Sequence, residues 1–284
     1  MKIFELNNIG IKLLEENNIE DSRIKSKLLL EYLLNMSKID LIVNNDKEVD
    51  DLIKEKYMKY INEMINGRPI QYIINNQEFM KLNFYVDENV LIPQPDTEIL
   101  VQKAIEIIKN KKDNKLDILD LCTGSGAIGI SLKKYIDDIT VYVSDISEKA
   151  LEIAKKNAIK NEVEVQYILS DMFSKMDNLK FDFIVSNPPY IKTDVIKLLS
   201  KEVQKEPIIA LDGGRDGLDF YRTIRNEAYK YLKDSGIILL EIGFDQKNTV
   251  SELFKNDNNY NYENIELFKD LSNIDRVIKI EKSW

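Results

Sequence analysis

The sequence predicts an α/β fold in which a mostly parallel sheet with an antiparallel C-terminal edge follows a small helical domain. Apolar residues recur at helical spacing up to about residue 75, and short apolar runs then alternate with amphipathic segments. The last two predicted strands are joined by a turn, without a helix between them. Alternation of strands with helices is typical of a parallel sheet covered on both faces. We expect a helical domain over 1–75, a hairpin or connector over 76–95 and an α/β domain over 96–284.

Two apolar stripes predict the N-terminal helices. Ile53, Tyr57, Tyr60, Ile61 and Met64 recur at helical spacing, and Gly67 follows as a stop signal. The second stripe runs through DSRIKSKLLLEYLLNMS, whose initial Asp-Ser pair predicts an N-cap. Up to residue 85, 12 Lys and Arg stand against 14 Asp and Glu. The predicted helical bundle therefore has no basic face.

A change of period marks the connector. Residues 77–92, QEFMKLNFYVDENVLI, shift toward alternation of apolar and polar side chains, which predicts a hairpin or an extended segment. Pro95, Asp96 and Thr97 then open an amphipathic helix, since proline and an acidic residue are both favoured in a first helical turn.

The remaining elements follow one another as strands and helices. Strands are expected at LDILDL (116–121), TVYVSD (140–145), VEVQYIL (163–169), FDFIVS (181–186) and GIILLEI (236–242). Helices are expected at GAIGISLKKYI, at SEKALEIAKKNAIKN with Ser147 as its cap, and at GLDFYRTIRNEAYKYL. The final segment, YENIELFKDLSNIDRVIKIEK, predicts two strands around a turn as an antiparallel edge pair.

A glycine-rich loop follows the first strand of the predicted sheet. Gly124, Gly126 and Gly129 match G-x-G-x-x-G, in which glycines let the backbone turn tightly and approach a ligand beside a helix N-terminus. Asp145 ends the second strand, where an acid can accept from a pair of ribose hydroxyls. A nicotinamide dehydrogenase and an S-adenosylmethionine (SAM) methyltransferase could both use these parts.

Acidic residues favour SAM over a dinucleotide. Asp120, just before the loop, would attract the ammonium or sulfonium of SAM and repel a pyrophosphate, although it could instead cap the turn. Asp171 and Met172 follow a third strand, where they could contact an adenine amino group and ring. Met172 could equally be a core methionine. Cys122 is expected to be a small filler beside the loop rather than a nucleophile.

The sequence Asn187-Pro188-Pro189-Tyr190 follows the predicted strand 181–186 at its carboxyl end. Prolines stiffen the segment and leave carbonyl acceptors, Asn187 adds a side-chain acceptor, and Tyr190 adds a flat ring. Two acceptors and an aromatic face suit a planar NH₂ group. They would expose its lone pair and stabilise the charge that develops during methyl transfer. The alternative is a proline-rich turn that only ends a strand.

Composition excludes several other chemistries. The chain has no histidine and one cysteine, Cys122, which excludes a His/Cys zinc site, a histidine-activated nucleophile and an intramolecular disulfide. A net charge of −9 fits a protein substrate better than naked nucleic acid. The sequence shows neither a signal-peptide run nor an apolar stretch of membrane-spanning length. We therefore expect a soluble cytoplasmic protein.

Together these motifs resemble the release-factor glutamine methyltransferases, the HemK/PrmC family. The resemblance runs from about residue 67 to the C-terminus and rests on NPPYI, DLCTGSGAIGISL, IPQPDTE, GRPIQYI with EFMKLNFYV, and EPIIALDGGRDGLDFYR. It implies a Rossmann-like class I SAM-dependent methyltransferase domain that is preceded in the chain by a helical substrate-docking domain.

The resemblance also implies an activity. The methyl group of SAM would pass to the side-chain amide nitrogen (N5) of the glutamine in the Gly-Gly-Gln motif of class-1 peptide chain release factors, leaving S-adenosyl-L-homocysteine. The expected enzyme is a monomer that has a release factor as its partner, uses no metal and engages neither DNA nor a membrane.

By match of motif, the resemblance assigns the site residues. The expected cofactor-binding residues are Cys122, Thr123, Gly124, Ser125, Gly126, Ala127, Asp145, Asp171, Met172 and Asn187. The expected substrate-binding residues are Asn187, Pro188, Pro189 and Tyr190, and the catalytic set is Asn187, Pro188 and Tyr190. The resemblance also implies that the segment with Pro95, Thr97 and Glu98 lies near the site, which makes Glu98 a weaker candidate for a site residue. The chain departs from the family at Gln94, where arginine is frequent, and at Met172, where tryptophan is common.

Three alternatives remain open. A glutamine methyltransferase acting on a ribosomal protein would share the Asn-Pro-Pro-Tyr motif. A nucleic-acid amino-methyltransferase would need a basic groove or a large target-recognition insertion, and the sequence shows neither. A non-catalytic SAM- or nucleotide-binding module would not need Asn187 and Tyr190.

Overall fold

The computed structural model describes residues 1–111, 115–255 and 261–283. The chain packs as two compact units. The first contains Met1–Asn75 and a short later segment, Leu199–Lys205. The second contains Asn76–Leu198 and the described residues from Glu206 onward, so the segment expected as a connector packs with the α/β part.

The first unit is a bundle of α-helices. Over residues 1–75 these helices are α1 (Ile3–Glu16), α2 (Ser22–Leu34), α3 (Lys38–Val43), α4 (Asp51–Ile65) and α5 (Ile70–Ile74). Tyr57, Ile61 and Met64 of the predicted stripe are fully buried, whereas Ile53 and Tyr60 are partly buried against the same core. Periodic apolar spacing therefore identified the packed face correctly.

The predicted cap of α2 is wrong. Asp21 has a left-handed backbone (φ 54°) and its side chain makes no capping hydrogen bond. The Ser22 hydroxyl instead donates backward to the Ile19 carbonyl at 2.5 Å. The backbone carbonyl of Asp21 accepts from Ile24 and Lys25, so main-chain bonds begin this helix.

The second unit opens with a short hairpin. Strands β1 (Gln77–Phe79) and β2 (Leu82–Phe84) pair antiparallel around Met80 and Lys81, which both have positive φ. Phe79 and Phe84 are fully buried and meet edge to face. The hairpin prediction is confirmed for this part, while residues 85–92 contain no strand.

A sheet forms the centre of the second unit. Its elements in chain order are α6 (Thr97–Asn110), β3 (Leu116–Leu121), α7 (Ala127–Tyr135), β4 (Ile139–Asp145), α8 (Glu148–Lys160), β5 (Gln166–Leu169), β6 (Phe181–Ser186), α9 (Asp219–Tyr231), β7 (Leu232–Glu241), α10 (Lys247–Lys255), β8 (Tyr262–Lys269) and β9 (Asp275–Lys282). Within the described residues, seven strands pair in the order β5-β4-β3-β6-β7-β9-β8.

The predicted α/β class is confirmed. Strands β3 to β7 run parallel, and β9 is antiparallel to both β7 and β8. The predicted edge pair differs in one respect, because β9 inserts between β7 and β8 and leaves β8 alone at the edge. The sequence analysis did not predict α10.

Two apolar layers cover the sheet. Ile118 and Phe183 pack on one face with residues of α6, α7 and α8. Leu119 and Ile184 point to the other face and pack with residues of α9 and α10. Because successive side chains alternate between faces, a central strand buried on both sides needs apolar residues at consecutive positions, as 118–119 and 183–185 provide.

This topology brings four loops to one edge of the sheet. Leu121, Ser144, Ser186 and Leu240 lie at matching positions near the ends of β3, β4, β6 and β7. The segments that follow these strands must therefore meet, which is where parallel α/β sheets bind ligands. Among the residues described, no helix is long and apolar enough to cross a membrane.

Candidate active site

A cavity opens at this edge of the sheet and encloses about 890 Å³, including its mouth. Several predicted site residues form its wall: Cys122, Gly124, Asp145, Asp171, Met172, Asn187 and Pro189. Other predicted residues lie behind the wall and do not line it: Thr123, Ser125, Gly126, Ala127, Pro188 and Tyr190. The structure therefore brings the glycine loop and the Asn-Pro-Pro-Tyr segment to one cavity.

The glycines of the loop have different roles. Gly124 (φ +54°) faces open space, and a Cβ there would meet no atom within 4 Å. A Cβ on Gly126 (φ +83°) would lie 2.6 Å from the Ile130 side chain, and one on Gly129 would lie 2.8 Å from Val143. Gly124 thus leaves room for a ligand, whereas the other two allow α7 to pack closely.

Asp120 stabilises the glycine-rich loop through hydrogen bonds. The carboxyl is completely buried, and its Oδ2 accepts from the Thr123 hydroxyl at 2.5 Å and from the Gly129 N–H at 2.8 Å. Burial raises the pKa of Asp120 to about 7. Asp120 does not line the cavity, so its geometry matches the turn-capping alternative rather than direct attraction of a cationic ligand.

Asp145 ties the loop to β4 and also faces the cavity. Its two oxygens accept from the backbone N–H groups of Gly124 at 2.8 Å and Ser147 at 2.9 Å. Burial raises the pKa of this carboxyl. Each oxygen still has a lone pair that can accept from a ligand hydroxyl.

A contact between two sulfur atoms also forms part of the cavity wall. The Cys122 sulfur lies 3.8 Å from the sulfur of Met172, and burial raises the pKa of the Cys122 thiol. A thiol that stays protonated is a poor nucleophile, which agrees with the expected filler role. Asp171 beside Met172 is exposed at the cavity.

The Asn-Pro-Pro-Tyr segment is held from behind. The Tyr190 hydroxyl donates to Oε1 of Glu241 at 3.2 Å, and burial raises the pKa of Tyr190. The side-chain amide of Gln246 donates to the Tyr190 carbonyl at 3.1 Å. A Cβ on Gly213 would lie 2.7 Å from the Cα of Tyr190, so the Gly213 backbone packs directly on the segment.

Three residues behind Asn187 and Tyr190 had no role predicted from the sequence, although the family resemblance placed Thr97 near the site. Thr97, Glu241 and Gln246 are at most 5% exposed and make hydrogen bonds to this segment or to one another. Glu241 left one signal in the sequence, an acid at the end of the apolar run GIILLEI. A charged residue in a buried strand requires partners and could have been marked for that reason.

Glu98 and Gln94 of IPQPDTE make hydrogen bonds outside the cavity. Oε1 of Glu98 accepts from the Met80 N–H at 2.7 Å and so links α6 to the hairpin turn. Gln94 is exposed and donates to the Ile92 carbonyl at 2.9 Å. Neither lines the cavity.

We therefore expect Glu98→Ala to affect stability rather than chemistry. Loss of a charge-assisted hydrogen bond should lower the free energy of unfolding by about 1–2 kcal/mol and leave the SAM binding and methyl transfer expected from the sequence near the parent values. Urea unfolding and a transfer assay measure the two effects, with the exposed Glu152→Ala as control. A large loss of transfer at unchanged stability would contradict this role.

Over the described ranges, no group of three or more His, Cys, Asp or Glu side chains could hold a metal ion. The cavity is lined mainly by apolar side chains, among which stand two carboxylates, two amides, three serine hydroxyls and a thiol. These groups can bind a polar organic ligand through hydrogen bonds and charge.

Comparisons with known proteins cover both units. Residues 96–206 match the family model of the methyltransferase small domain, and residues 5–74 match that of the PrmC N-terminal domain. The release factor glutamine methyltransferase of Clostridium acetobutylicum is 42% identical in an alignment of 283 positions that covers 98% of each chain. The one from Aquifex aeolicus is 34% identical over 100% of this chain and 99% of its own.

A solved structure shares the fold. A methyltransferase from Pyrococcus furiosus superposes with a TM-score of 0.53 at 17% identity, over 80% of this chain and 99% of the other. At this identity the likeness concerns the arrangement of helices and strands alone.

Proposed function

Because the chain belongs to the release factor glutamine methyltransferase family, we propose that it methylates the side-chain amide nitrogen (N5) of the glutamine in the Gly-Gly-Gln motif of class-1 peptide chain release factors. The observation that carries the proposal is that two sets of predicted site residues line the wall of one cavity. Asn187 and Pro189, which suit a target amide, face the same cavity as Gly124 and Asp145, which suit a nucleoside ligand.

The residues at the cavity fit SAM. Asp145 is placed to accept from ribose hydroxyls, and Asp171 with Met172 offers an acceptor and an apolar contact for adenine. Two carboxylates at the wall would oppose a pyrophosphate and suit a ligand with a cationic group. The open space at Gly124 allows a ligand to approach the loop backbone closely.

The rest of the loop belongs to the same proposal. Cys122 contributes an apolar edge to the wall, and Thr123, Ser125, Gly126 and Ala127 form the backbone turn that supports the methionine end of the ligand. When bound, SAM supplies a sulfonium methyl group, so the amide nitrogen gains the methyl and loses one proton while S-adenosyl-L-homocysteine is left.

The chain's own residues address the weak nucleophilicity of an amide. The Asn187 side-chain oxygen and a backbone carbonyl of the Pro188-Pro189 pair are proposed to accept the two N–H bonds of the target glutamine. Tyr190, expected to offer an aromatic surface, lies behind the wall, and we propose that it holds the segment in place through its hydrogen bond to Glu241. These acceptors stabilise the positive charge on nitrogen as the methyl arrives, which lowers the barrier without a strong general base.

The helical unit is proposed to dock the substrate. Residues 5–74 match the PrmC N-terminal domain, and the acidic chain suits a protein substrate. The same proposal places the enzyme in the cytoplasm as a monomer, with a release factor as its partner.

A transfer assay tests the proposal. Labelled methyl from SAM should enter a purified class-1 release factor and should not enter a variant in which the glutamine of Gly-Gly-Gln is replaced. Label in both proteins would contradict the assigned target residue. Label in neither, with SAM still bound by calorimetry, would contradict the substrate, and ribosomal proteins would then be tested.

A further inference from the structure

We propose that Glu241 is a positioning residue which acts through Thr97 to orient the side-chain amide of Asn187. In this orientation the oxygen of Asn187 is left to accept from the target amide. The inference deepens the proposed function and rests on it.

A chain of two hydrogen bonds connects Asn187 to Glu241. The Nδ2 of Asn187 lies 3.1 Å from the Thr97 hydroxyl, and that hydroxyl lies 2.6 Å from Oε2 of Glu241. Thr97 is 5% exposed and Glu241 is 2% exposed, so water does not compete freely for either bond.

The number of protons on each group determines the direction of both hydrogen bonds. A hydroxyl has a single proton, and a carboxylate can only accept. Thr97 therefore donates its proton to Glu241 and must accept its other hydrogen bond. Of the two ends of the Asn187 amide, only the NH₂ end can supply that bond. The negative charge on Glu241 thus determines which end of Asn187 faces Thr97.

This orientation determines which atom of Asn187 faces the cavity. Asn187 lines the wall, and with its nitrogen bound to Thr97 its free polar atom is the side-chain oxygen. A target NH₂ group would meet an acceptor there. If the amide were reversed, two NH₂ groups would face each other and the target would lose a hydrogen bond.

The position of Glu241 is itself determined by several contacts. Its second oxygen accepts from the Tyr190 hydroxyl at 3.2 Å, and its backbone carbonyl accepts from the Tyr221 hydroxyl at 2.9 Å. Glu241 therefore reaches both ends of the Asn-Pro-Pro-Tyr segment, Tyr190 directly and Asn187 through Thr97. A buried carboxylate with hydroxyl donors is costly to ionise, and the orienting role accounts for its presence.

The arrangement also implies a pH dependence. Burial raises the pKa of Glu241 to about 7; the hydroxyls of Thr97 and Tyr190 and the positive charge of Arg276 oppose that rise, and Asp96 adds to it. Below that pH the protonated carboxyl can donate, and the single direction of the chain is lost. We therefore expect kcat of the parent enzyme to increase as the pH rises through about 7.

Paired substitutions test the inference. Thr97→Val keeps the shape of the side chain but removes the hydroxyl, whereas Thr97→Ser keeps the hydroxyl. We expect Thr97→Val to lower kcat about tenfold, the effect of one lost hydrogen bond, with the Kd for SAM unchanged, and Thr97→Ser to retain most of the rate. Glu241→Gln, which can donate or accept, should lower kcat and flatten its pH dependence near 7.

A second readout does not depend on transfer. The side-chain NH₂ protons of Asn187, assigned with the help of Asn187→Ala, should exchange with solvent slowly in the parent and about tenfold faster in Thr97→Val. Equal exchange, or a kcat for Thr97→Val within about twofold of the parent, would overturn the inference. If the parent transfers no methyl to a release factor, the proposed function fails, and the exchange comparison still decides the orienting role.

Discussion

Asn187→Ala is expected to lower kcat for methyl transfer to a release factor by about 100- to 1,000-fold, the usual effect of removing one preorganised group that stabilises transition-state charge. The side chain lies in the cavity wall, and its contact with the target nitrogen should strengthen as positive charge develops there. The affinity for SAM should stay near that of the parent. Single-turnover transfer assays and calorimetry measure the two quantities separately.

Two further variants make this result specific. Asn226→Ala removes an exposed asparagine of α9 and should transfer methyl at the parent rate. Asn187→Asp keeps an acceptor oxygen for the target amide but cannot donate to the Thr97 hydroxyl, so it should transfer methyl more slowly than the parent. If Asn187→Ala transfers methyl within about fivefold of the parent rate, the assigned role of the side chain is wrong.

Asp145→Ala should instead weaken the binding of SAM. The carboxylate holds the backbone N–H groups of Gly124 and Ser147 and is proposed to accept from the ribose, so its removal loosens the loop and deletes a ligand contact. We expect the Kd for SAM to increase about 10- to 100-fold, the range for lost hydrogen bonds to a charged group. Isothermal titration calorimetry measures this change.

The control for Asp145 is an exposed acid before the same strand. Asp138→Ala removes the same charge outside the cavity and should leave the Kd unchanged. Asp145→Asn, which keeps one acceptor oxygen, should fall between the parent and Asp145→Ala. An unchanged Kd for Asp145→Ala would show that the ribose assignment is wrong.

The apolar pattern of the sequence predicted the bounds of a strand well where the residues of that strand alone decide its burial. The strands 116–121 and 181–186 have the predicted bounds, because their consecutive apolar residues, 118–119 and 183–185, are buried on both faces of the sheet. The third strand begins at Gln166 rather than at 163, and it is an exposed edge strand whose length depends on pairing with β4. Pairing of this kind depends on a neighbouring strand, which local periodicity does not describe.

The site residues show the same difference between what the local sequence predicts and what the tertiary structure decides. The glycine loop and the Asn-Pro-Pro-Tyr segment were recognisable because their residue types have special backbone or hydrogen-bonding properties. The side chain of Asp120 was predicted to interact with a ligand or with its own turn, and its two hydrogen bonds to Thr123 and Gly129 place it in the turn. Sequence alone identified the residue types but not the direction in which each side chain points.

The sequence by itself determined the α/β class, the order of strands and helices, and the motifs that lie at the ends of β3, β4 and β6. Those features depend on residues close together in the chain. Only the tertiary structure decided that Thr97, Glu241 and Asn187 are connected. Thr97 and Glu241 are 144 positions apart, and they meet because the packing of α6 against the sheet sets the distance between their side chains.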